Sequence, residues 1–411
     1  MSLTHGLGWM SIGTNERRAV SGEFPEFTVF RTVAHRLRSL EAVNATRDRF
    51  GLTLMVNHAC NLRCSYCYTG AKFSFPMTRE IGMVAIERAF RSLAPGGQLD
   101  LSFFGGEPLL ESARILEWMA HARRRAAKSD QQIRFNLTTN GTVTHREAWE
   151  VMLTADLDLA VSFDGNPEIH NRHRRDAHGH GTAATVEATL RQLIGSGKPV
   201  RVNAVVRPDT LGEMIGGLVY LHQLGVRQVD FSLDLWTGWT ARDGCRLEQL
   251  VQEAGALWRQ WLPEFSLNWF DVKAGDLAHL PMTEETTRCG FGTGEVAVAP
   301  SGRLYPCERL IGEDHPDHPL RLPGHVLEGH DFLGYAPAPF QSCDACTKCA
   351  LSVACDTLCR CSNFIRRGDV NHPDGLLCLL NKATARTTSQ VLASAIPFAQ
   401  HSSNERSCYA K

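Results

Sequence analysis

From residue 51 onward, short apolar runs rich in β-branched residues alternate with longer stretches whose apolar positions recur at helical spacing. Runs at 52–57, 99–104, 133–138, 157–163, 200–206 and 226–233 predict strands. Between them, residues 78–94, 109–127, 144–154, 182–195 and 210–224 predict helices, with Val186, Leu190 and Leu193 marking the period in the fourth. This alternation predicts an α/β fold with a parallel sheet and crossover helices. Six strands fall short of a closed eight-stranded barrel, and the residues after each strand then gather at one mouth.

Length and charge narrow the function classes. The 411 residues suffice for one large α/β domain and a second unit. Composition divides them into an N-terminal extension (1–50), the alternating region (51–240), a bridge (241–288), a cysteine-rich unit (289–378) and a tail (379–411) with a helical stretch near 380–394 and a frayed polar end at Ser402 to Glu405. A formal net charge of -1 offers no electrostatic footprint for a nucleic-acid backbone. Residues 1–14 lack a basic patch followed by an apolar core, and no stretch approaches the roughly 18 apolar residues of a membrane span. The expectation is a cytoplasmic protein with neither nucleic acid nor membrane as partner. In a reducing compartment, 14 cysteines point to metal binding rather than to disulfides.

The chemistry-bearing residues follow the predicted strands. After the first comes Cys60-Asn61-Leu62-Arg63-Cys64-Ser65-Tyr66-Cys67, and three thiolates on a four-iron cluster leave one iron open to an outside ligand. After the second comes Gly105-Gly106-Glu107-Pro108, where two residues without side chains permit close backbone approach to a ligand and Glu107 offers an acceptor for an ammonium group. Thr138-Thr139-Asn140-Gly141 and Ser162-Phe163-Asp164-Gly165 follow the third and fourth. Any one of these is an ordinary polar turn, but four in register with four strands make a site.

The Cys-x3-Cys-x-aromatic-Cys run, with Tyr66 in the aromatic place, resembles the signature of the radical S-adenosylmethionine (SAM) enzymes. The resemblance covers residues 51 to about 240 and implies a partial (β/α)6 TIM-like barrel. It further implies that Cys60, Cys64 and Cys67 hold a [4Fe-4S] cluster whose open iron takes the amino and carboxylate groups of SAM. Gly105, Gly106 and Glu107 match the motif that binds the methionine amino group, and Ser162 the serine that contacts ribose or carboxylate. His170 to Arg174 is similar to a His-Asp-x-x-Arg stretch with Asn171 in place of Asp, so Arg174 would pair the SAM carboxylate, with Arg172 and Arg175 as neighbouring candidates. Asn140, Asn203 and Arg207 are further possible contacts, each equally suited to satisfying strand-end backbone.

Cysteines crowd the region after residue 288 as Cys289-x12-Gly302-x4-Cys307, then Cys346-x2-Cys349-x5-Cys355-x3-Cys359, then Cys378. This order resembles the SPASM extension of radical SAM enzymes that modify peptides, a loop-rich iron–sulfur domain with two auxiliary [4Fe-4S] clusters. Three clusters in all are implied: Cys289, Cys307 and Cys359 would serve the first auxiliary one, and Cys346, Cys349, Cys355 and Cys378 the second. Some relatives place another ligand between the first cysteine and the Gly-x4-Cys, and residues 290–306 contain none. The first auxiliary cluster is then either open or closed by Cys343, Cys361 or Cys245; a buried or idle thiol is the commoner fate of each of these and of Cys408. Read alone, Cys-x2-Cys with cysteines downstream also suits zinc.

The implied reaction passes an electron, from a donor such as flavodoxin or ferredoxin, through the open cluster to SAM, yielding a 5′-deoxyadenosyl radical that takes a hydrogen atom from substrate. The auxiliary clusters would collect the remaining electron, making the outcome an oxidation of a peptide or protein side chain: a crosslink, or the aldehyde of sulfatase maturation. Glu308, directly after Cys307, occupies the place of an Asp read as a general base in the sulfatase-maturating relatives. The roughly 50 residues before the first strand are too few for a leader-binding domain, so recognition would fall to the mouth, the bridge or a separate leader-binding protein. Trp236, Trp239, Trp258, Trp261 and Trp269 either line a peptide groove or pack a core. The alternatives are a relative acting on a carbohydrate or nucleoside, and a non-catalytic zinc-stabilised peptide-binding module.

Overall fold

A computed structural model describes residues 46–278, 290–335, 346, 348–351, 355 and 359–395. The predicted N-terminal extension up to residue 45, the end of the bridge, Cys289, Cys343, Cys408 and the polar tail lie outside the described residues. Ten strands share one sheet in the order β10-β9-β8-β1-β2-β3-β4-β5-β6-β7. Strands β1 (Arg47–Met55), β2 (Leu93–Phe104), β3 (Gln132–Thr139), β4 (Leu157–Ser162), β5 (Val200–Val206) and β6 (Gln228–Leu233) pair in parallel, each with the next. Helices α1 (Arg79–Arg91), α2 (Ser112–Ser129), α3 (Arg146–Met152), α4 (Pro167–His173), α5 (Ala183–Gly195) and α6 (Met214–Leu224) lie between them in sequence. From β1 to β6 strand order never reverses, as barrel winding requires and a doubly wound sheet does not allow.

Alternation along the strands separates two faces. Phe50, Leu52, Leu54, Leu99, Leu101, Phe103, Phe135, Leu137, Val202 and Val206 are buried in the main apolar core with the helices. The opposite face carries one charge per strand, alternating in sign: Arg49, Asp100, Arg134, Asp158, Arg201 and Asp230. Arg49 pairs with Asp100. Arg134 and Arg201 lie 3.9 and 3.3 Å from Asp158, and Arg201 lies 3.0 Å from Asp230. This charged face explains why β1 starts at Arg47 rather than at the apolar residue 52.

Through residue 278 the bridge is regular structure. It folds as α7 (Ala241–Trp261), β7 (Ser266–Leu267) and α8 (Asn268–Ala278), with β7 adding to the β6 edge. Of the five tryptophans in and just before it, Trp239, Trp258 and Trp269 are buried, Trp261 stacks on His222 at 4.0 Å, and Trp236 is exposed. The cysteine-rich unit opens by extending the barrel sheet: β8 (Glu295–Val298) runs parallel to β1, followed by antiparallel β9 (Arg303–Tyr305) and β10 (Leu322–His325). Buried Arg88 of α1 fastens this segment by donating to the carbonyls of His325, Val326 and Asp331 and stacking 4.3 Å from the Phe332 ring centroid. Helices α9 (Arg360–Arg367) and α10 (Gly375–Ala395) complete the described chain. Among the described residues, no helix is long and apolar enough to cross a membrane.

Candidate active site

The loop after β1 is clamped from two sides. Gly106 N–H donates to Asn57 O and Glu107 N–H to Ala59 O, each at 2.9 Å. A Cβ on Gly105 would stand 2.6 Å from Asn57 O, and one on Gly106 would stand 2.2 Å from Ala59 O. The glycines therefore let the β2 loop press on the backbone leading into Cys60, rather than only clearing space for a ligand. On the other side, Arg63 N–H donates to Arg175 O (2.7 Å) and Ser65 N–H to His173 O (3.0 Å). Ala71 N–H donates to Glu313 Oε1 at 2.8 Å, so the cysteine-rich unit holds the loop's exit.

Glu107 is buried and its carboxylate is largely taken by the protein. Oε1 accepts from Thr139 Oγ1 (2.7 Å) and Leu109 N–H (3.0 Å), and Oε2 accepts from Asn140 N–H (2.7 Å). Burial raises its pKa to about 7 against the pull of these donors. A carboxylate offers about four lone-pair sites, so little remains for a ligand's ammonium group. Asn140 is likewise engaged: Nδ2 donates to Asn61 Oδ1 (2.9 Å) and points at Cys60 Sγ (3.7 Å), while Oδ1 accepts from Thr142 N–H (2.9 Å). Asn61, Thr139 and Thr142 complete a seam between the loops after β1, β2 and β3 that the tetrapeptide motifs alone did not reveal.

Arg174 meets a buried carboxylate, not an open site. Its Nε and Nη2 donate to Asp164 at 2.9 and 3.3 Å, and the two side chains are 8 % and 1 % exposed. Asp164 also accepts from the Tyr66 hydroxyl and from Val205 N–H (3.0 Å). Burial would raise its pKa, but the Arg174 charge and these donors hold it below the usual carboxylate range. The Tyr66 ring lies within 5.3 Å of the Arg174 guanidinium and 5.6 Å of that of Arg207, which itself pairs with Asp234 and Asp209. Asp164, quoted in the sequence only as part of its motif, is the residue that gathers these groups; its signal was an acidic residue just past a strand end, ten positions before Arg174. By contrast, the Ser162 hydroxyl makes no hydrogen bond to a described residue, and Oδ1 of Asn203, its register partner on β5, is buried without a partner.

A second group of thiols stands near the first. Cys307 Sγ donates to Glu308 Oε2 at 3.4 Å, and burial, with the nearby Glu308 carboxylate, pushes the pKa of the Tyr68 phenol well up. The Tyr68 ring stacks on exposed Trp236 at 4.7 Å. Cys307 belongs to a small apolar core with Met55, Phe291, Ala297, Tyr305 and Cys361. Cys359 Sγ accepts from Ser362 Oγ (3.1 Å), and a cavity of ≈ 280 Å³ is bounded by Cys359, Ser362, Trp269 and Asn381. Asn381, one turn after Cys378 on α10, donates to Cys355 Sγ at 2.7 Å, and Cys349 N–H donates to Cys346 O at 3.1 Å. Cys245 is exposed on α7.

Cys60, Cys64 and Cys67 suit an iron–sulfur cluster. Leu62 N–H (3.4 Å), Asn140 Nδ2 and the Thr69 hydroxyl (3.3 Å) lie against their sulfurs, the hydrogen bonds that tune such clusters. Among the described residues no three His, Cys, Asp or Glu converge to hold a single ion. A cluster needs no such convergence, because each thiolate binds a different iron. Burial raises the pKa of Cys60 to about 11, so binding iron would displace its proton.

Residues 54–217 match the Radical SAM superfamily. The radical SAM cyclopropyl synthase TigE of Paramaledivibacter caminithermalis is 21% identical over 371 residues, spanning 86% of this chain and 76% of that protein. The cysteine-type anaerobic sulfatase-maturating enzyme of Clostridium perfringens is 23% identical over 346 residues, 75% of this chain and 89% of its own. The fold matches the solved structure of anSMEcpe with bound AdoMet and a Kp18Cys peptide at a TM-score of 0.68 and 19% identity, covering 84% of this chain and 99% of that one.

Proposed function

We propose that this chain, whose residues 54–217 match the Radical SAM superfamily, is a radical SAM enzyme that oxidatively modifies a side chain of a peptide or protein, by crosslink formation or by oxidation of the sulfatase type. The observation that carries this reading is the small core in which Met55, at the end of the strand that leads into the Cys60 loop, packs with Cys307 and Cys361, with Glu308 accepting from the Cys307 thiol at 3.4 Å. A second thiol group and a carboxylate thereby stand beside the loop of the first. The names of the relatives point the same way, being those of a cyclopropyl synthase and a sulfatase-maturating enzyme.

Cys60, Cys64 and Cys67 would hold the SAM-binding [4Fe-4S] cluster. Bound there, that group supplies the electron that splits SAM into methionine and the hydrogen-abstracting 5′-deoxyadenosyl radical. Ser162 Oγ and Asn203 Oδ1, polar atoms without a partner among the described residues, would take the ribose or carboxylate of SAM. Asp164 fixes Tyr66 and Arg174, and Glu107 and Asn140 fix the loops against Cys60, so Asp164, Glu107 and Asn140 act by positioning. Cys289, Cys307 and Cys359 would serve a first auxiliary cluster and Cys346, Cys349, Cys355 and Cys378 a second. Ionising Cys307 removes the thiol proton now directed at Glu308, freeing Oε2 to accept the proton an oxidised substrate must lose. A reduced flavodoxin or ferredoxin would deliver electrons, and peptide recognition would fall to the mouth, the bridge or a separate leader-binding protein.

Iron and sulfide analysis after anaerobic reconstitution tests this. Three clusters require about 12 irons per chain. About four irons would remove the auxiliary pair and the oxidative reading with it.

A further inference from the structure

Cys361 lies outside the seven auxiliary positions marked by spacing, yet its surroundings are those of a ligand. It is 2% exposed, in the small core that also holds Cys307 and Phe291. Its Sγ stands 3.3 Å from Cys359 Sγ, and its thiol interacts with that of Cys307 as well. Cys359 caps α9 and Cys361 sits in that helix's first turn, so the Cys359-Arg360-Cys361 run presents two thiols toward one partner. The half-buried Arg309 donates to Ser362 Oγ (3.4 Å), whose hydroxyl in turn donates to Cys359 Sγ (3.1 Å), so its guanidinium stands beside these thiols. A cation there would offset the negative charge that thiolates concentrate around iron. Phe291, two residues after Cys289, packs in the same core beneath Arg360 at 5.0 Å.

Resting on the auxiliary-cluster reading above, we propose that Cys361 is the fourth thiolate of the first auxiliary cluster, joining Cys289, Cys307 and Cys359. That cluster is then closed. It exchanges electrons with the substrate without binding it. The present 3.3 Å contact is one between protonated thiols; each loses its proton on binding iron, and the two sulfurs part.

The test uses the full chain with Cys60, Cys64 and Cys67 all replaced by Ala, which leaves only the auxiliary sites. Reconstituted anaerobically, this parent should hold about eight irons. Adding Cys361→Ala should lower iron toward about four, or open one iron to ¹³C-cyanide, seen as a new hyperfine coupling in the EPR spectrum of the reduced protein. Cys361→Ser, nearly the same size and a weaker ligand, should keep the iron and shift both the g values and the midpoint potential. Cys343→Ala should change none of these. A Cys361→Ala protein with unchanged iron, unchanged g values and no cyanide coupling overturns the proposal alone, as does loss of iron on Cys343→Ala instead. A parent without iron overturns the auxiliary-cluster reading and this inference together.

Discussion

Replacing Asp164 with Asn isolates the pair that holds the mouth together. The change keeps the side-chain shape but withdraws the charge that neutralises Arg174, and the two groups are 1% and 8% exposed. On the Oδ1 side, Asn can still accept from Val205 N–H and Arg174 Nη2. On the Oδ2 side an amide would face the Arg174 Nε donor and the Tyr66 hydroxyl. Leaving a buried guanidinium unpaired costs about 3–5 kcal/mol. That is a large fraction of the roughly 5–15 kcal/mol that holds a typical domain. At about 2 °C per kcal/mol for a protein above 200 residues, the melting temperature should fall by ~6–10 °C. The assay is an anaerobic thermal melt of reconstituted wild type, D164N, R174M and the double variant. The double variant carries no stranded charge and should recover about half of the D164N loss. A D164N protein within about 1 °C of wild type, or a double variant that loses the sum of both, would refute the reasoning.

Three further outcomes follow from the same geometry. Gly106→Ala forces a Cβ to within 2.2 Å of Ala59 O, so the Cys60 loop must shift; reconstituted iron should fall by about four per chain while the auxiliary EPR signals persist. The raised pKa of Glu107, about 7 against about 4.5 unfolded, means the native state holds the extra proton between those values. Its contribution is present below pH ~4.5 and declines by ~3 kcal/mol as pH rises through 7. His170, buried and lowered to about 3, contributes in the opposite sense, losing stability as pH falls below ~6.5. Urea midpoints of wild type minus Glu107→Gln across pH 5–8 should therefore show the Glu107 slope alone. Arg201→Met leaves Asp158 and Asp230 facing each other without their shared cation; both pairs are about a quarter exposed, so the cost is ~1–3 kcal/mol in urea denaturation, with iron content unchanged.

The six parallel strands were legible because each buries one apolar face, and that face wrote a β-branched run into the sequence. The start of β1 was not, since Arg47, Asp48 and Arg49 read as solvent-facing loop until the fold brings Asp100 of β2 beside Arg49. Strands β7 to β10 hold two to four residues each, too short for a period to register. Glycines after β2 announced close approach without saying to what; the fold supplies the backbone of Asn57 and Ala59. Arg174 looked available because its partner lies on the end of another strand, and Tyr66 reaches that same Asp164 across 98 positions. Cys361 was one of three open candidates by spacing. Its nearness to Cys359 and Cys307 emerges only from packing.

The central claim is that the thiols of Cys60, Cys64 and Cys67 hold a cluster with a free iron that cleaves SAM. Quantifying 5′-deoxyadenosine after anaerobic incubation of the reconstituted protein with SAM and dithionite tests it most directly. Wild type should form the product and Cys64→Ala should form none while keeping its auxiliary iron. Product at the wild-type rate from Cys64→Ala, or no product from wild type with its full complement of iron, would contradict the claim.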